Sequence, residues 1–151
     1  MLLMHTLFEP TTAEEIISRL NRIQPSAVPK WGKMNAAQMM AHCQAPFLVY
    51  FGEKKMKRGL ISFLFGKLAK KKIFVKEPWR HNLPTAKAFK ILEQKDFEKE
   101  RSILINLVRR FAEEGYTVTV SVHPFFGKMS SQEWGLFSYK HLDHHLQQFG
   151  E

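Results

Sequence analysis

Seven histidines are spread unevenly over 151 residues, and three of them crowd the C-terminal run HLDHHLQQFG. His141 and His145 stand four residues apart, so a helix stacks them on one face with Cβ atoms about 5–6 Å from each other. Two imidazoles placed this way can give their nitrogen lone pairs to one divalent ion. Position 142 is Leu, not the glutamate that serves as base in the H-E-x-x-H peptidase motif, so the pair offers a metal seat without a built-in base. A third ligand has to come from elsewhere, and His5, His42, His81 and His123 are available. His42 fits best. Gln38 and His42 lie one turn apart with Met39 and Ala45 on the same side, and that helix must turn its apolar side inward. Pro46 cannot donate to the carbonyl of His42 and bends the helix there, and interrupted ladders recur at functional sites. Three neutral imidazoles leave coordination positions open, which marks a catalytic rather than a structural metal centre. The rival expectation is a set of core histidines hydrogen-bonded to Ser138, Gln148 or backbone.

At ~100° per residue, Trp134, Ser138, His141, His145, Gln148 and Phe149 share one face of the last helix, with His144 at its border. Lys140, Asp143 and Gln147 lie opposite. Apolar walls for a substrate would come from Trp134, Met39 and Phe125. His123, in HPFFG, is a candidate general base: Pro124 biases it to extended geometry on the loop leading into the histidine-bearing helix. Its alternative is a packed or surface loop histidine. Cys43 adjoins His42, but neighbours on a helix point ~100° apart, so a buried structural cysteine is expected rather than a Cys–His dyad.

Four helices must position these groups. The first is expected over 12–23, with Thr11 and Thr12 three residues ahead of Glu14 and Glu15 at capping-box spacing and with Pro25 as a stop. The second spans 35–52, capped by Asn35 with Gln38 and stopped at Gly52. The third spans 96–115 on a stripe of Phe97, Leu104, Val108 and Phe111, widened by Ile103 and Leu107. The fourth spans 130–150 behind an S-x-x-E box of Ser130 and Glu133. Between the second and third, residues 54–72 (KKMKRGLISFLFGKLAKKK) hold eight basic residues and no acidic one. This reads as a short basic amphipathic helix whose apolar residues cover the bundle. Residues 116–122 (YTVTVSV) read as a short strand or an extended connector. The expected architecture is all-α, an up-down four-helix bundle with the extra helix between helices 2 and 3, in one domain over 1–151.

The net charge of +9 sits almost wholly in 54–72, which leaves the rest of the chain at +1. Thirteen Phe and three Trp argue for a packed core and against disorder. One cysteine excludes an internal disulfide framework and any multi-thiolate zinc site. MLLMHTLFEP lacks a basic n-region, and no run approaches the ~18 apolar residues of a membrane span. A soluble cytoplasmic protein is the expectation.

WGKMNAAQMMAHC and HPFFGKMSSQEWGLFSYKHLDHHLQQFG resemble the DinB/YfiT-like superfamily of metal-binding four-helix bundles, and more narrowly its branch, domain-of-unknown-function family 1569. The resemblance covers nearly the whole chain, including LPTAKAFK and DFEKERSILINLVRRFAEEG, and the C-terminal block is its specific part. It implies a divalent metal held by one His of the second helix and an H-x-x-x-H pair of the last, at His42, His141 and His145. Gln148 matches the polar residue that follows the pair. The resemblance also implies a low-molecular-weight thiol as co-substrate, since relatives include thiol-dependent S-transferases and related metal-dependent transferases or hydrolases. Dimers occur among similar proteins, so a homodimer is a further expectation.

The leading expectation is therefore a metal-dependent enzyme acting on a small molecule, with zinc or nickel ahead of iron as the ion. Gln38, Ser138, His144 and Gln148 would support the ligands or line the pocket, alongside Met39, Phe125 and Trp134. Two alternatives belong to other classes. One is a non-catalytic metal-binding stress or scaffold protein. The other is a module that binds nucleic acid or an anionic membrane through 54–72.

Overall fold

Side-chain capping sets three of the six α-helix starts in the computed structural model, which describes residues 5–75, 77–85, 87–115 and 122–151. At Asn35 the side chain accepts from the Gln38 amide while the Gln38 side chain accepts from the Asn35 amide, and α2 (Ala36–His42) follows. The same reciprocal pair, Ser130 with Glu133, opens α6 (Ser131–Gln148). Asp96 accepts from the Lys99 amide and opens α5 (Phe97–Glu114). The first helix departs from expectation. α1 spans Pro10–Arg22 with Glu9 at its N-cap and no side-chain cap, because proline's fixed φ suits the first helical position and nucleates the helix ahead of Thr11 and Thr12. Thr12 instead donates to the Glu9 carboxylate at 3.2 Å.

Pro46 breaks the second expected helix rather than bending it. The chain turns at Cys43 and Gln44 and restarts as α3 (Ala45–Tyr50), with Pro46 in its first turn. Residues 60–73 form α4 (Leu60–Ile73), and Lys87–Phe89 make one 3₁₀ turn. Regular structure among the described residues is thus all helical. An isolated antiparallel bridge joins His123 to Gly127. The expectation for 116–122 falls outside the described residues save for exposed Val122. No described helix is long and apolar enough to cross a membrane.

α1 and α2 pack on α5, α1 also packs on α6, and α3 contacts both α5 and α6. Ile16, Leu20, Met39, Met40, Phe47, Leu104, Val108, Phe111, Trp134, Leu142 and Leu146 fill the shared core. Tyr50 meets Phe111 and Trp134 edge-on, and its hydroxyl donates to the Gly115 carbonyl. Arg19 of α1 fixes the rotation of α6 by pairing with Asp143 at 2.9 Å and donating to the Glu151 carbonyl at 3.0 Å. With Asp143 held toward α1, His141 and His145 face the interior.

One expectation about coverage is overturned. Apart from Ile73 at its end, the large apolar side chains of α4 do not cover the core: Leu60, Ile61, Phe63, Leu64, Phe65 and Leu68 are all exposed. Only Ser62 and Gly66 are buried. The reason is steric. Phe125 presents its carbonyl oxygen so close to Gly66 that a Cβ there would collide with it, so the helix can approach only along its small residues.

Candidate metal centre

The α2 capping box and the apolar packing of Met39 and Met40 bring His42 inward at the last residue of the helix. There it meets the pair from α6. His42, His141 and His145 are buried, and each offers a nitrogen within 4.8 Å of the others. The rings of His42 and His145 lie 4.8 Å apart, as do those of His141 and His145.

Hydrogen bonds at the far ring nitrogens fix two tautomers. His42 Nδ1 donates to the Phe89 carbonyl at 2.9 Å, so its Nε2 carries a lone pair. His145 Nδ1 donates to Gln148 Oε1 at 2.8 Å, which leaves its Nε2 as a lone pair too. Gln148 is itself oriented, since its Nε2 donates to the Trp31 carbonyl at 2.6 Å. The Trp31 loop can come this close because the next residue is glycine: Gly32 has φ +80°, and a Cβ on it would stand 2.6 Å from Gln148 Nε2.

His42 Nε2 and His141 Nε2 lie 3.2 Å apart. Two nitrogen ligands of one tetrahedral ion at about 2.0–2.1 Å are about 3.3 Å from each other, so the spacing fits a shared cation. Among the described residues, His141 Nδ1 is buried without a hydrogen-bond partner. The same spacing lets His141 Nε2–H donate to the His42 Nε2 lone pair, and a divalent cation would replace that proton between the two nitrogens. Three neutral imidazoles are a donor set that a borderline divalent ion accepts.

Burial also keeps the three rings neutral. It pushes the His145 pKa down to about 3, with repulsion from a protonated His42 adding to the effect and the Gln148 hydrogen bond opposing it. It holds His141 well below the ordinary range, helped by the neighbouring histidines. For His42, burial again dominates and lowers the pKa, the Phe89 carbonyl opposes it, and Lys54 reinforces it. Neutral imidazoles are what metal ligation requires.

Other residues singled out from the sequence occupy varied places. Trp134 and Ser138 are buried on the triad's helix, and Trp134 Nε1 and Ser138 Oγ have no partner among the described residues. Half-buried His144 sits 5.2 Å from the His145 ring. Met39 is fully buried and receives the Cys43 thiol at 3.7 Å. Cys43 is buried, and its burial pushes the thiol pKa up. Gln38 serves the α2 cap and donates to the carbonyls of Leu92 and Glu93. Phe125 is half-buried, with its carbonyl 2.8 Å from Ser62 Oγ. His123 is buried and uses Nδ1 to accept the amides of Phe125 and Phe126, both at 3.1 Å. Its lone pair is spent on that turn, and burial takes its pKa down to about 3. His5 packs near Tyr139. His81 stacks on Trp31 with ring centroids 3.7 Å apart.

Trp31, Trp79 and the Phe89 carbonyl are parts of this region that spacing rules do not reveal. Trp79 lies 6.1 Å from the His141 ring and 5.9 Å from the His144 ring. Its indole N–H donates to the Ile73 carbonyl at 2.9 Å. The available signal was only that two tryptophans stand in Pro- and Lys-containing loop segments with no apolar periodicity to account for them.

No curated protein and no solved structure matches the chain. Residues 7–151 match the family described as "Protein of unknown function (DUF1569)", and with nearly the full length covered the chain belongs to that family.

Proposed function

We propose that this chain is a divalent-metal-dependent enzyme of the DinB-like class, a thiol-dependent transferase or a hydrolase acting on a small molecule. In this reading α1, α2 with α3, α5 and α6 form the four-helix bundle of that superfamily. The observation that carries it is the convergence of three buried, neutral imidazoles from two helices. A zinc or nickel ion bound there supplies Lewis acidity that makes a water or a small thiol nucleophilic near neutral pH.

The chain's own residues do the rest. Phe89 and Gln148 hold His42 and His145 in the ligating tautomers. Trp79 and His144 lie beside the α6 pair, and Trp31 with His81 stacked on it lies beyond His144, so aromatic rings limit water on that side. Among the described residues the buried Trp134 N–H and Ser138 hydroxyl have no partner, and both stand on the helix that carries the α6 pair. His123 enters as the anchor of the 123–127 turn.

The test is the metal content of tag-free protein by mass spectrometry. About one zinc or nickel per chain is expected, falling at least tenfold in His42→Ala, His141→Ala and His145→Ala, as loss of a direct ligand requires. A metal-free parent after zinc loading would sink the reading. Bound metal with no turnover of any thiol acceptor or ester substrate would favour the scaffold alternative.

A further inference from the structure

α4 is fastened by a narrow strip. Ser62 Oγ lies 2.8 Å from the carbonyls of both Pro124 and Phe125, Gly66 abuts Phe125, and Lys70 pairs with Glu133 at 2.8 Å. The other side carries large apolar side chains in solvent, with exposed Lys67, Lys71 and Lys72 among them: Leu60 is 80% exposed, Phe63 73%, Ile61 and Leu64 68% each. So many large apolar side chains exposed on one short helix mark an interaction site.

We infer that α4 is an interfacial helix that seats the protein on an anionic lipid surface. Charge complementarity selects this occupant. Lys55 and Lys57 precede the apolar turns, and Lys67, Lys71 and Lys72 flank or follow them. None of the five has an ion-pair partner among the described residues. Residues 54–72 contain no acidic side chain to oppose an anionic surface. Fourteen residues make a helix about 21 Å long, shorter than the ~30 Å hydrocarbon core, so it lies in the plane of the interface. Leucine and phenylalanine then enter the acyl boundary while lysine stems reach back to the headgroups.

The same features count against two other occupants. Nucleic acid would engage the lysines but leave Leu60, Ile61, Leu64 and Leu68 in water. A second copy packed face to face would bring two sets of free lysines together. The inference does not rest on the metal reading.

Full-length protein is floated with vesicles of phosphatidylcholine containing about one-third phosphatidylserine, and with pure phosphatidylcholine, at ~0.1 M salt. Partitioning to the anionic vesicles is expected, about tenfold or more weaker on the neutral ones. Leu64→Asp with Leu68→Asp, and separately Lys67→Glu with Lys71→Glu and Lys72→Glu, should each abolish it while circular dichroism and metal content stay as in the parent. Ser62 and Gly66 are untouched in both, so the seat of α4 remains. Failure of the parent to bind anionic vesicles overturns the inference. Binding to duplex DNA that the charge variant loses and the leucine variant keeps, without vesicle binding, assigns the helix to nucleic acid instead. A dimer dissolved by the leucine variant, again without vesicle binding, assigns it to a second copy.

Discussion

Gln148 makes two bonds at once, accepting from His145 Nδ1 and donating to the Trp31 carbonyl. It therefore sets both the tautomer of His145 and the position of the Trp31 loop beside it. Gln148→Leu should weaken zinc affinity about 10- to 100-fold in competition with a chromophoric chelator, the range typical of partners that orient a ligand. Unchanged affinity would mean that His145 does not ligate. His123 has a different role and a different signature. Its folded pKa of about 3 lies below its ordinary 6.5, so between those values the unfolded chain binds a proton that the folded chain refuses. Stability present above pH 6.5 is lost as pH falls toward 3. Asn at this position can still accept a turn amide but does not titrate. In urea unfolding, the stability advantage of the parent over His123→Asn should shrink by about 2–4 kcal/mol from pH 7 to pH 4. An advantage that does not change with pH would contradict the buried neutral imidazole.

Elements whose ends are written in local chemistry were legible in advance. Asn35 with Gln38 and Ser130 with Glu133 fix both starts and the inward face of each histidine-bearing helix. Where two local signals compete, the pattern misleads. Pro10 overrides the threonines behind it, and Pro46 ends one helix and begins another, because the turn at Cys43 and Gln44 lets both pieces pack on α5. The basic amphipathic pattern of 54–72 announced α4 as a helix, but hydropathy did not tell which side of it would be seated. Its seat is chosen by smallness, against a carbonyl more than fifty residues away in sequence. That makes Gly66 a sharp test. Gly66→Ala should lift the helix from the turn and speed amide exchange within α4 roughly ten- to a hundredfold, in keeping with an overpacking cost of about 1–3 kcal/mol. Gly59→Ala, with nothing within 4 Å of the added carbon, should leave exchange unchanged. Equal effects would show that α4 is not held along this strip.

At the scale of the whole molecule, the site is assembled from segments that local rules do not connect. His42 and His141 are 99 residues apart in sequence, and the Phe89 carbonyl arrives from an irregular stretch with no periodic signal. The α6 pair and its candidate partner could be named from spacing, but the supports from Trp31, Trp79 and Phe89 depend on how the long connections drape over the helices. Arg19 clasping Asp143 and the Glu151 carbonyl turns α6 so that the parts meet. The most direct measurement is a crystal structure of tag-free, zinc-loaded protein with anomalous data at the zinc edge. One peak within about 2.0–2.2 Å of a nitrogen from each of His42, His141 and His145 is the expected result. Three rings hydrogen-bonded among themselves, with no anomalous peak between them, would contradict the account.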